Sequence, residues 1–233
     1  MLRLLRRGLL VQDALGTTVT NEQSVRSLRH QRQELLPKSE SELPRIGVIL
    51  GSTRAGRFAD RPAEWLMNIA KSRPDASFEI VDLRDYPMPF FDEPRSPMIV
   101  PPKNEVARRW GQKLSELDAF IFITPEYNHS IPAVLKNAID YAYNEFIRKP
   151  ASLVSYGNAG GARGVEQLRL ILAEVQVASL KHTVHLGYTE FVGLLLQGKT
   201  FADFPHLEQA ALKMLDDLSW WTAALRAGRA ASR

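Results

Sequence analysis

Apolar and polar positions alternate in blocks along the chain from residue 44 onward. Short apolar runs are typical of buried strands, and the stretches between them have the periodicity of amphipathic helices. We predict strands at 46–50, 78–82, 119–124, 151–156 and 183–188, and helices at 58–72, 104–117, 131–145, 161–178 and 205–225. Six prolines within residues 86–102 predict a loop there.

Strands that alternate with helices form parallel βαβ units, so the pattern predicts an α/β fold with one doubly wound, five-stranded parallel sheet. Five strands fit the flavodoxin-like order 2-1-3-4-5, although periodicity alone does not determine that order. We expect a single domain over 45–225, an N-terminal extension over 1–44 that is partly flexible, and a basic C-terminal tail over 226–233.

The first ten residues are rich in arginine, free of acids and amphipathic. Two interpretations are open for them: a flexible extension, which we favour, or a mitochondrial transit peptide. The first goes with a cytoplasmic protein and the second with a mitochondrial one. Residues 22–36 have the pattern of a further helix.

The composition excludes several kinds of site and partner. The chain has no cysteine, which excludes disulfides, thiolate catalysis and cysteine-ligated metals. The net charge of +4 comes from the ends, because residues 45–225 carry 20 basic and 21 acidic side chains. No basic stripe crosses this region, so we expect no nucleic-acid partner. No apolar run approaches the roughly 18 residues that span a bilayer, so we expect no membrane partner.

The first predicted strand ends in the loop Gly51-Ser-Thr-Arg-Ala-Gly-Arg57. Glycines allow tight turns, and the N–H groups at a helix start attract anions. The loop matches neither G-x-G-x-x-G nor a nucleotide-triphosphate loop, in which Lys-Ser/Thr would replace Arg57-Phe58. It favours a site for a monophosphate, with a plain turn carrying solvated arginines as the alternative. The groups for such a site are the side chains of Ser52, Thr53, Arg54 and Arg57.

The third predicted strand ends in the loop Pro125-Glu-Tyr-Asn-His-Ser130. A flat aromatic ring, an amide and a rigid proline at one spot suit a planar ligand that accepts hydrogen bonds. We expect Ser130 to cap the following helix, with Ile131 and Pro132 in its first turn. His129 either touches the substrate or serves the turn.

The fourth predicted strand ends in a third loop, Tyr156-Gly-Asn-Ala-Gly-Gly-Ala-Arg163. Its three glycines let the backbone approach a ligand closely. Because the carboxyl ends of parallel strands meet at one edge of a sheet, the three loops predict one crevice with a phosphate end and a planar end. We expect no metal site, since His182 and His185 would face opposite sides of a strand. We expect Asp82, at the end of the second strand, to be solvated at the surface.

The loop sequences Gly-Ser-Thr-Arg (51–54), Pro-Glu-Tyr-Asn (125–128) and Gly-Asn-Ala-Gly-Gly (157–161) resemble those of the NAD(P)H-dependent FMN reductase family. This flavodoxin-like family includes quinone, chromate and azo-dye reductases. The resemblance covers about residues 45–200. It implies that FMN lies in the crevice, its phosphate held by Ser52, Thr53, Arg54 and the backbone as far as Phe58. Many relatives carry Ser or Asn where this chain has Arg57, which leaves the role of Arg57 open.

The resemblance also implies how the remaining loops hold the flavin. Pro125, Glu126, Tyr127 and Asn128 would lie along the ribityl chain and the ring, and Ser155, Tyr156, Gly157 and Gly160 would contact the pyrimidine side. A hydride would pass from NADPH (or NADH) to flavin N5, so no side chain need be catalytic, and then to a flavin, quinone, azo compound or metal oxyanion by a ping-pong mechanism. Relatives form homodimers or homotetramers. The alternative is a flavodoxin-type electron carrier that binds FMN without oxidising NAD(P)H.

Overall fold

The computed structural model of the protein describes residues 43–232 and two short strands before them. The short strands, Val11–Gln12 and Thr18–Val19, pair antiparallel with each other. The predicted helix at 22–36 and the arginine-rich residues 1–10 lie outside the described residues. No helix of the described part of the chain is both long and apolar enough to cross a membrane.

The main sheet has five parallel strands. In chain order they are β1 (Arg45–Leu50), β2 (Ser77–Asp82), β3 (Ala119–Pro125), β4 (Pro150–Tyr156) and β5 (Ala178–Leu186). Their order across the sheet is β2-β1-β3-β4-β5, which confirms the predicted flavodoxin-like order 2-1-3-4-5. Leu50 pairs with both Asp82 and Ile123, and Pro125 pairs with Tyr156, so the carboxyl ends of four strands are level at one edge.

Six helices cover the two faces of this sheet. They are α1 (Asp60–Ala70), α2 (Glu105–Ser115), α3 (Ala133–Asp140), α4 (Ala162–Glu174), α5 (Tyr188–Leu196) and α6 (Pro205–Ala231). Helices α1, α5 and α6 contribute Leu66, Leu194 and Met214 to one core. Helices α2, α3 and α4 contribute to the other, which includes Trp110. Strands β3 and β4 lie between the two cores and are buried along their whole length.

The predicted loop at 86–102 is confirmed as irregular chain. The buried amide of Asn137 on α3 holds it in place. Its Nδ2 donates to Pro89 O at 2.8 Å, and its Oδ1 accepts from the Phe91 amide at 2.8 Å. A single side chain therefore fixes both sides of residue 90.

Helix α3 is shorter at both ends than the predicted helix at 131–145. Pro132 occupies the N-cap position and makes no side-chain capping bond, so the expected Ser130 cap is wrong. At the other end the Tyr143 amide donates to the Glu145 carboxylate at 3.1 Å. That local side-chain acceptor competes with helix continuation, and the chain turns instead.

Helix α4 also ends early, four residues before the predicted limit of 178. Gln176 has a left-handed backbone with φ +59°. Its amide donates to Ala173 O, and the Val177 amide donates to Leu172 O, which is the bond pattern of a Schellman motif. Such motifs usually have glycine at the position of Gln176, so the sequence did not signal this helix end. Strand β5 consequently begins at Ala178, five residues before its predicted start.

Two differences concern the C-terminal part of the chain. Helix α5 was not predicted, because Gly193 interrupts its apolar run. A Cβ at Gly193 would lie 2.8 Å from the ring of Phe204, so close packing explains that glycine. Helix α6 continues to Ala231 and thus includes most of the segment expected to form a basic tail. Arg229 on its last turns donates to Asp118 at 2.9 Å and to Arg148 O at 2.7 Å, so this basic residue is anchored to the domain.

Candidate functional site

A cavity of about 540 Å³ opens where β1, β3 and β4 end. Its size lies within the roughly 300–1,000 Å³ of typical small-molecule sites. All three predicted loops contribute to it, and α5 adds a fourth side. Its lining consists of Arg54, Gly56, Arg57, Phe58, Pro125, Glu126, Tyr127, Asn128, His129, Tyr156, Gly157, Asn158, Arg163, Phe191 and Leu195.

One end of the cavity is lined by Arg54, Gly56 and Arg57, which belong to the loop of residues 51–57 that we call the phosphate loop. Within the described residues, the backbone amides of Thr53, Ala55 and Gly56 have no protein acceptor. The exposed side chain of Arg54 also has no hydrogen-bond or ion-pair partner there. Grouped free N–H donors beside a guanidinium form a site for an anion such as a phosphate. The Thr53 side chain itself is exposed and lies outside the cavity lining.

Arg57 does not have the role that the sequence suggested. Its side chain is only 2% exposed, and all five of its N–H groups already have acceptors. Nε and Nη2 donate to Asp60, both Nη atoms donate to Asp82, and Nη1 also donates to Ser52 O at 2.7 Å. No N–H group of Arg57 remains for a phosphate. The side chain instead supports the phosphate loop through its bond to Ser52 O. Asp82 is therefore an ion-pair partner, which corrects the expectation of a solvated surface carboxylate.

The ionisation of this pair follows from its surroundings. Burial by itself would raise the pKa of Asp82 and lower that of Arg57. The hydrogen bonds between the two groups outweigh burial, so the pKa of Asp82 lies below its usual range and that of Arg57 above its own. Both side chains are charged at neutral pH. The pair joins the phosphate loop to the end of β2.

The second loop is a tight two-residue turn. Tyr127 and Ser130 exchange both backbone hydrogen bonds, at 2.9 and 3.1 Å. Between them Asn128 and His129 have φ +50° and +70°. Positive φ at both central residues is the geometry of a type I′ turn, in which glycine and asparagine are favoured. Ser130 thus closes the turn with its backbone, and His129 both serves the turn and lines the cavity.

Glu126 connects this turn to the start of α4. Its carboxylate accepts from the amides of Arg163 (3.1 Å) and Gly164 (3.4 Å) and forms an ion pair with the Arg163 guanidinium. The side chain is only 5% exposed. Burial alone would raise the pKa of Glu126, but these hydrogen bonds outweigh it and hold the pKa below its usual range. An ionised carboxylate at a helix N-terminus is also stabilised by the helix dipole.

The phosphate loop and the second loop touch through two hydroxyls. Ser52 Oγ lies 3.2 Å from Tyr127 Oη. The Ser52 side chain is buried and lies outside the cavity lining. Ser52 therefore links two loops in the protein as it stands. A contact between Ser52 and the phosphate stays a prediction.

The third loop differs from the prediction in which atoms face the cavity. The buried Ser155 Oγ donates to Gly160 O at 2.6 Å, and neither residue lines the cavity. The Gly157 amide donates to Leu186 O at 3.3 Å, so this predicted ring donor already has an acceptor. Gly161 has φ +71°, and a Cβ there would lie 2.7 Å from that of Ser155. Glycine is therefore required for close packing of the loop on β4.

Three aromatic rings form an apolar wall of the cavity. Phe58 packs against Tyr156 and Phe191 with ring centroids 5.0 and 4.9 Å apart, and Tyr156 and Phe191 are nearly parallel. Burial raises the pKa of Tyr156, so its phenol stays protonated at neutral pH. An aromatic wall of this kind suits a planar heteroaromatic ligand.

Sequence reasoning missed part of the lining for two different reasons. Phe191 and Leu195 lie on α5, which was not predicted. Gly56, Asn158 and Arg163 lie within the quoted loops, so their position was available as a signal. The two histidines considered for a metal have separate partners, because His182 contacts Asp217 and His185 contacts Ser155. Within the described residues, no three His, Cys, Asp or Glu side chains are grouped as metal ligands.

Comparison with known families shows which family the chain belongs to. Residues 44–190 match the family described as NADPH-dependent FMN reductase. The chain belongs to this family. The description of the family names FMN and NADPH.

Individual relatives agree with this assignment. The chain is 41% identical over 128 residues to an NAD(P)H-dependent FMN reductase of Schizosaccharomyces pombe, an alignment that covers 54% of the chain and 64% of that protein. It therefore spans a little less than two thirds of that relative. It is 34% identical over 140 residues to a 2-hydroxy-1,4-benzoquinone reductase of Burkholderia sp, covering 57% of the chain and 72% of that protein.

A solved structure shares the fold. The flavoenzyme NAD(P)H:(acceptor) oxidoreductase FerB from Paracoccus denitrificans superposes with a TM-score of 0.60 at 23% identity, over 78% of this chain and 98% of that one. The cavity itself fits FMN on its own geometry. The free amide of Gly56 and the Arg54 side chain, both in the cavity lining, suit the phosphate, and the wall of Phe58, Tyr156 and Phe191 suits a flat ring.

Proposed function

We propose that this chain is an FMN-dependent NAD(P)H oxidoreductase that passes a hydride from NAD(P)H, by way of bound FMN, to a small acceptor. The observation that carries the proposal is the phosphate loop with its free amides at one end of a cavity and an aromatic wall at the other. FMN supplies the redox chemistry when bound. The name of the Burkholderia relative supports a quinone as the acceptor, and flavins, azo compounds and metal oxyanions are the wider class.

The residues of this chain bind and orient in this proposal. The amides of the phosphate loop and Arg54 hold the phosphate, while Phe58, Tyr156 and Phe191 exclude water from one side of the ring. Asn128 offers an amide at the turn. Donor and acceptor use the same cavity in turn, which supports a ping-pong mechanism. No side chain has to act as acid or base, in accord with a Tyr156 phenol that stays protonated.

A flavodoxin-type electron carrier is the second possibility for an FMN site on this fold. Such carriers dock on partners through a strongly acidic surface. Residues 45–225 carry 20 basic and 21 acidic side chains, which favours the enzyme. The two functions differ in one measurable respect, since only the enzyme oxidises NAD(P)H.

The test is to purify the protein, record its absorbance spectrum, and follow NADPH and NADH oxidation with a quinone or free FMN as acceptor. We expect a yellow protein that releases FMN on denaturation and oxidises at least one nicotinamide. A colourless protein that cannot be reconstituted with FMN would contradict the assignment. FMN binding without turnover would favour the carrier.

Assembly and location belong to the same proposal. We propose a homodimer or homotetramer, supported by the exposed apolar side chains of Leu212, Trp220 and Trp221 on α6. The proposed location is the cytoplasm, because the absence of cysteine fits a reducing compartment. Mitochondrial import through residues 1–10 is the alternative. Light scattering on the purified protein and imaging of a C-terminal fluorescent fusion test these two points.

A further inference from the structure

Besides Arg54 in the phosphate loop, the cavity lining includes a second exposed arginine, Arg163. The Arg163 side chain lines the cavity and is 47% exposed, whereas its ion-pair partner Glu126 is 5% exposed. The carboxylate therefore lies beneath the guanidinium. Among the residues that the structure describes, Glu126 accepts only from Arg163 and from the amides at the start of α4, so its oxygens are directed to the protein.

His129 holds the guanidinium from a second side. Arg163 Nη1 lies 2.7 Å from His129 Nε2. A guanidinium can only donate, so Nε2 is the acceptor and the ring proton is on Nδ1. Within the described residues, His129 Nδ1 and the Nε of Arg163 have no protein acceptor. The edge thus presents hydrogen-bond donors fixed at two points.

The backbone under His129 is held in an unfavourable conformation. At φ +70° a residue with a Cβ is less stable than glycine by about 1 kcal/mol. The turn itself gains nothing from the imidazole, because Tyr127 and Ser130 close it with backbone hydrogen bonds. The imidazole itself lines the cavity, where it contacts Arg163.

We propose that Arg163 and His129 form a second anion-binding edge of the cavity, which takes an oxyanion of the substrate that reacts at the flavin. The proposal rests on the proposed function and adds the class of group that the site recognises. The phosphate loop holds the FMN phosphate, so this edge serves another group: a phosphate of the nicotinamide dinucleotide, or a carboxylate or enolate of an acidic acceptor. The selectivity comes from an edge that offers donors only.

The charges at this edge predict how binding depends on ionic strength. Arg163 and Glu126 together carry no net charge, so attraction over long distances is small. Binding depends instead on short, charge-assisted hydrogen bonds from a fixed guanidinium. The preference for an oxyanion should therefore change little with ionic strength, in contrast to steering by an exposed charged patch.

The experiment compares Arg163→Gln with a charge-matched control, Arg108→Gln. Arg108 is exposed on α2, outside the cavity lining, and its side chain has no hydrogen-bond or ion-pair partner in the part of the chain described. The kcat/KM is measured for NADPH, for NADH, for 1,4-benzoquinone and for a benzoquinone that carries a carboxylate. The FMN Kd is measured by flavin fluorescence.

We expect Arg163→Gln to lower kcat/KM for an anionic substrate about 10- to 100-fold relative to 1,4-benzoquinone, as expected for loss of a charged hydrogen bond. A loss confined to the nicotinamides identifies the dinucleotide phosphate as the group, and a loss confined to the carboxylated quinone identifies the acceptor. His129→Gly, which suits the positive φ, should give a smaller loss of the same kind. The FMN Kd should stay within about twofold of the wild-type value, since the phosphate loop is intact.

An equal loss for all substrates, an unchanged ratio, or a weakened FMN Kd would overturn the proposal. A binding measurement, which needs no turnover, distinguishes a failure of this proposal from a failure of the proposed function. If the wild-type protein oxidises neither nicotinamide, the proposed function fails, and calorimetry with NADP⁺ and the carboxylated quinone then tests the edge alone. Weaker binding by Arg163→Gln than by Arg108→Gln supports the edge, and equal binding overturns it.

Discussion

The Arg57 guanidinium donates side by side to both carboxylate oxygens of Asp82, at 2.6 and 2.5 Å. This parallel pair joins the loop after β1 to the last residue of β2. Since Arg57 also donates to Ser52 O, one buried side chain sets the shape of the phosphate loop without touching a phosphate.

Replacement of Asp82 by asparagine should therefore reduce both stability and FMN affinity. The buried guanidinium loses its charged acceptor, which costs about 2–3 kcal/mol, and the phosphate loop loses its support. Urea unfolding of the apo protein and FMN titration measure the two effects. Asp75→Asn is the control, because its ion pair with Arg73 is more exposed and should be worth less than about 1 kcal/mol. An Asp82→Asn protein with wild-type FMN affinity would show that the pair does not shape the loop.

Arg54→Ala should weaken FMN binding and leave the fold unchanged. The Arg54 side chain is exposed and has no partner within the described residues, so its removal breaks no internal contact. Loss of one charged hydrogen bond to a phosphate raises the Kd roughly 10- to 100-fold. FMN fluorescence titration measures the Kd, and thermal unfolding of the apo protein is the control. Unchanged affinity would remove Arg54 from the phosphate site.

Glu126→Gln should destabilise the protein in a pH-dependent way. Because the pKa of Glu126 is lowered in the folded state, its charge contributes stability above the unfolded pKa of about 4.5, and this contribution is lost as the pH falls through the folded pKa. The wild-type protein should exceed the variant by about 2 kcal/mol at pH 7 and by progressively less towards pH 3. Glu166→Gln, an exposed change on the same helix, is the control. A difference that does not vary with pH would refute the linkage.

Lys149→Met should remove a pH dependence on the alkaline side. Burial, with help from nearby Arg229, lowers the pKa of Lys149 to about 8, below the unfolded value of 10.5. The folded state therefore disfavours the charged form of Lys149. Wild-type stability should rise between pH 8 and about 10.5, with a slope of up to about 1.4 kcal/mol per pH unit.

Urea unfolding at pH 7.5 and 9.5 measures that slope. The variant should be nearly flat over this interval, although it loses the 2.7 Å hydrogen bond from Nζ to Leu114 O. Lys136→Met is the control, since Lys136 lies at the surface beside Asp140. Equal slopes in the wild-type protein and Lys149→Met would mean that another group titrates.

The sequence predicted the elements whose signal is local. Strands β3 and β4 are buried over all seven of their residues, so β3 appears in the sequence as an apolar run from Ala119 to Ile123, and β4 as a mainly apolar run that contains Ser152 and Ser155. The end of α4 depends on Gln176 adopting a left-handed conformation that is more usual for glycine. Helix α5 was not predicted, because the reason for a glycine at position 193 is a contact with Phe204 that the sequence does not show.

The same division holds for the candidate site. The three loops could be found because their glycines and polar side chains are adjacent in sequence. The partner of Arg57 could not, because Asp82 is 25 residues away and arginine is rarely found buried. Ser52 and Tyr127, which are 75 residues apart, meet only once β1 and β3 are paired. Contacts of this kind decide which side chains face the ligand and which support the loops.

Helix α5 gives the cavity a side that can be redesigned by itself. Phe191 and Leu195 lie beyond residue 190, where the match to the family ends, yet they face the same space as the phosphate loop. Changes at these two positions would alter the width and polarity of the aromatic wall while the phosphate donors stay in place. A combinatorial library restricted to residues 191 and 195 is thus a compact starting point for engineering acceptor selectivity.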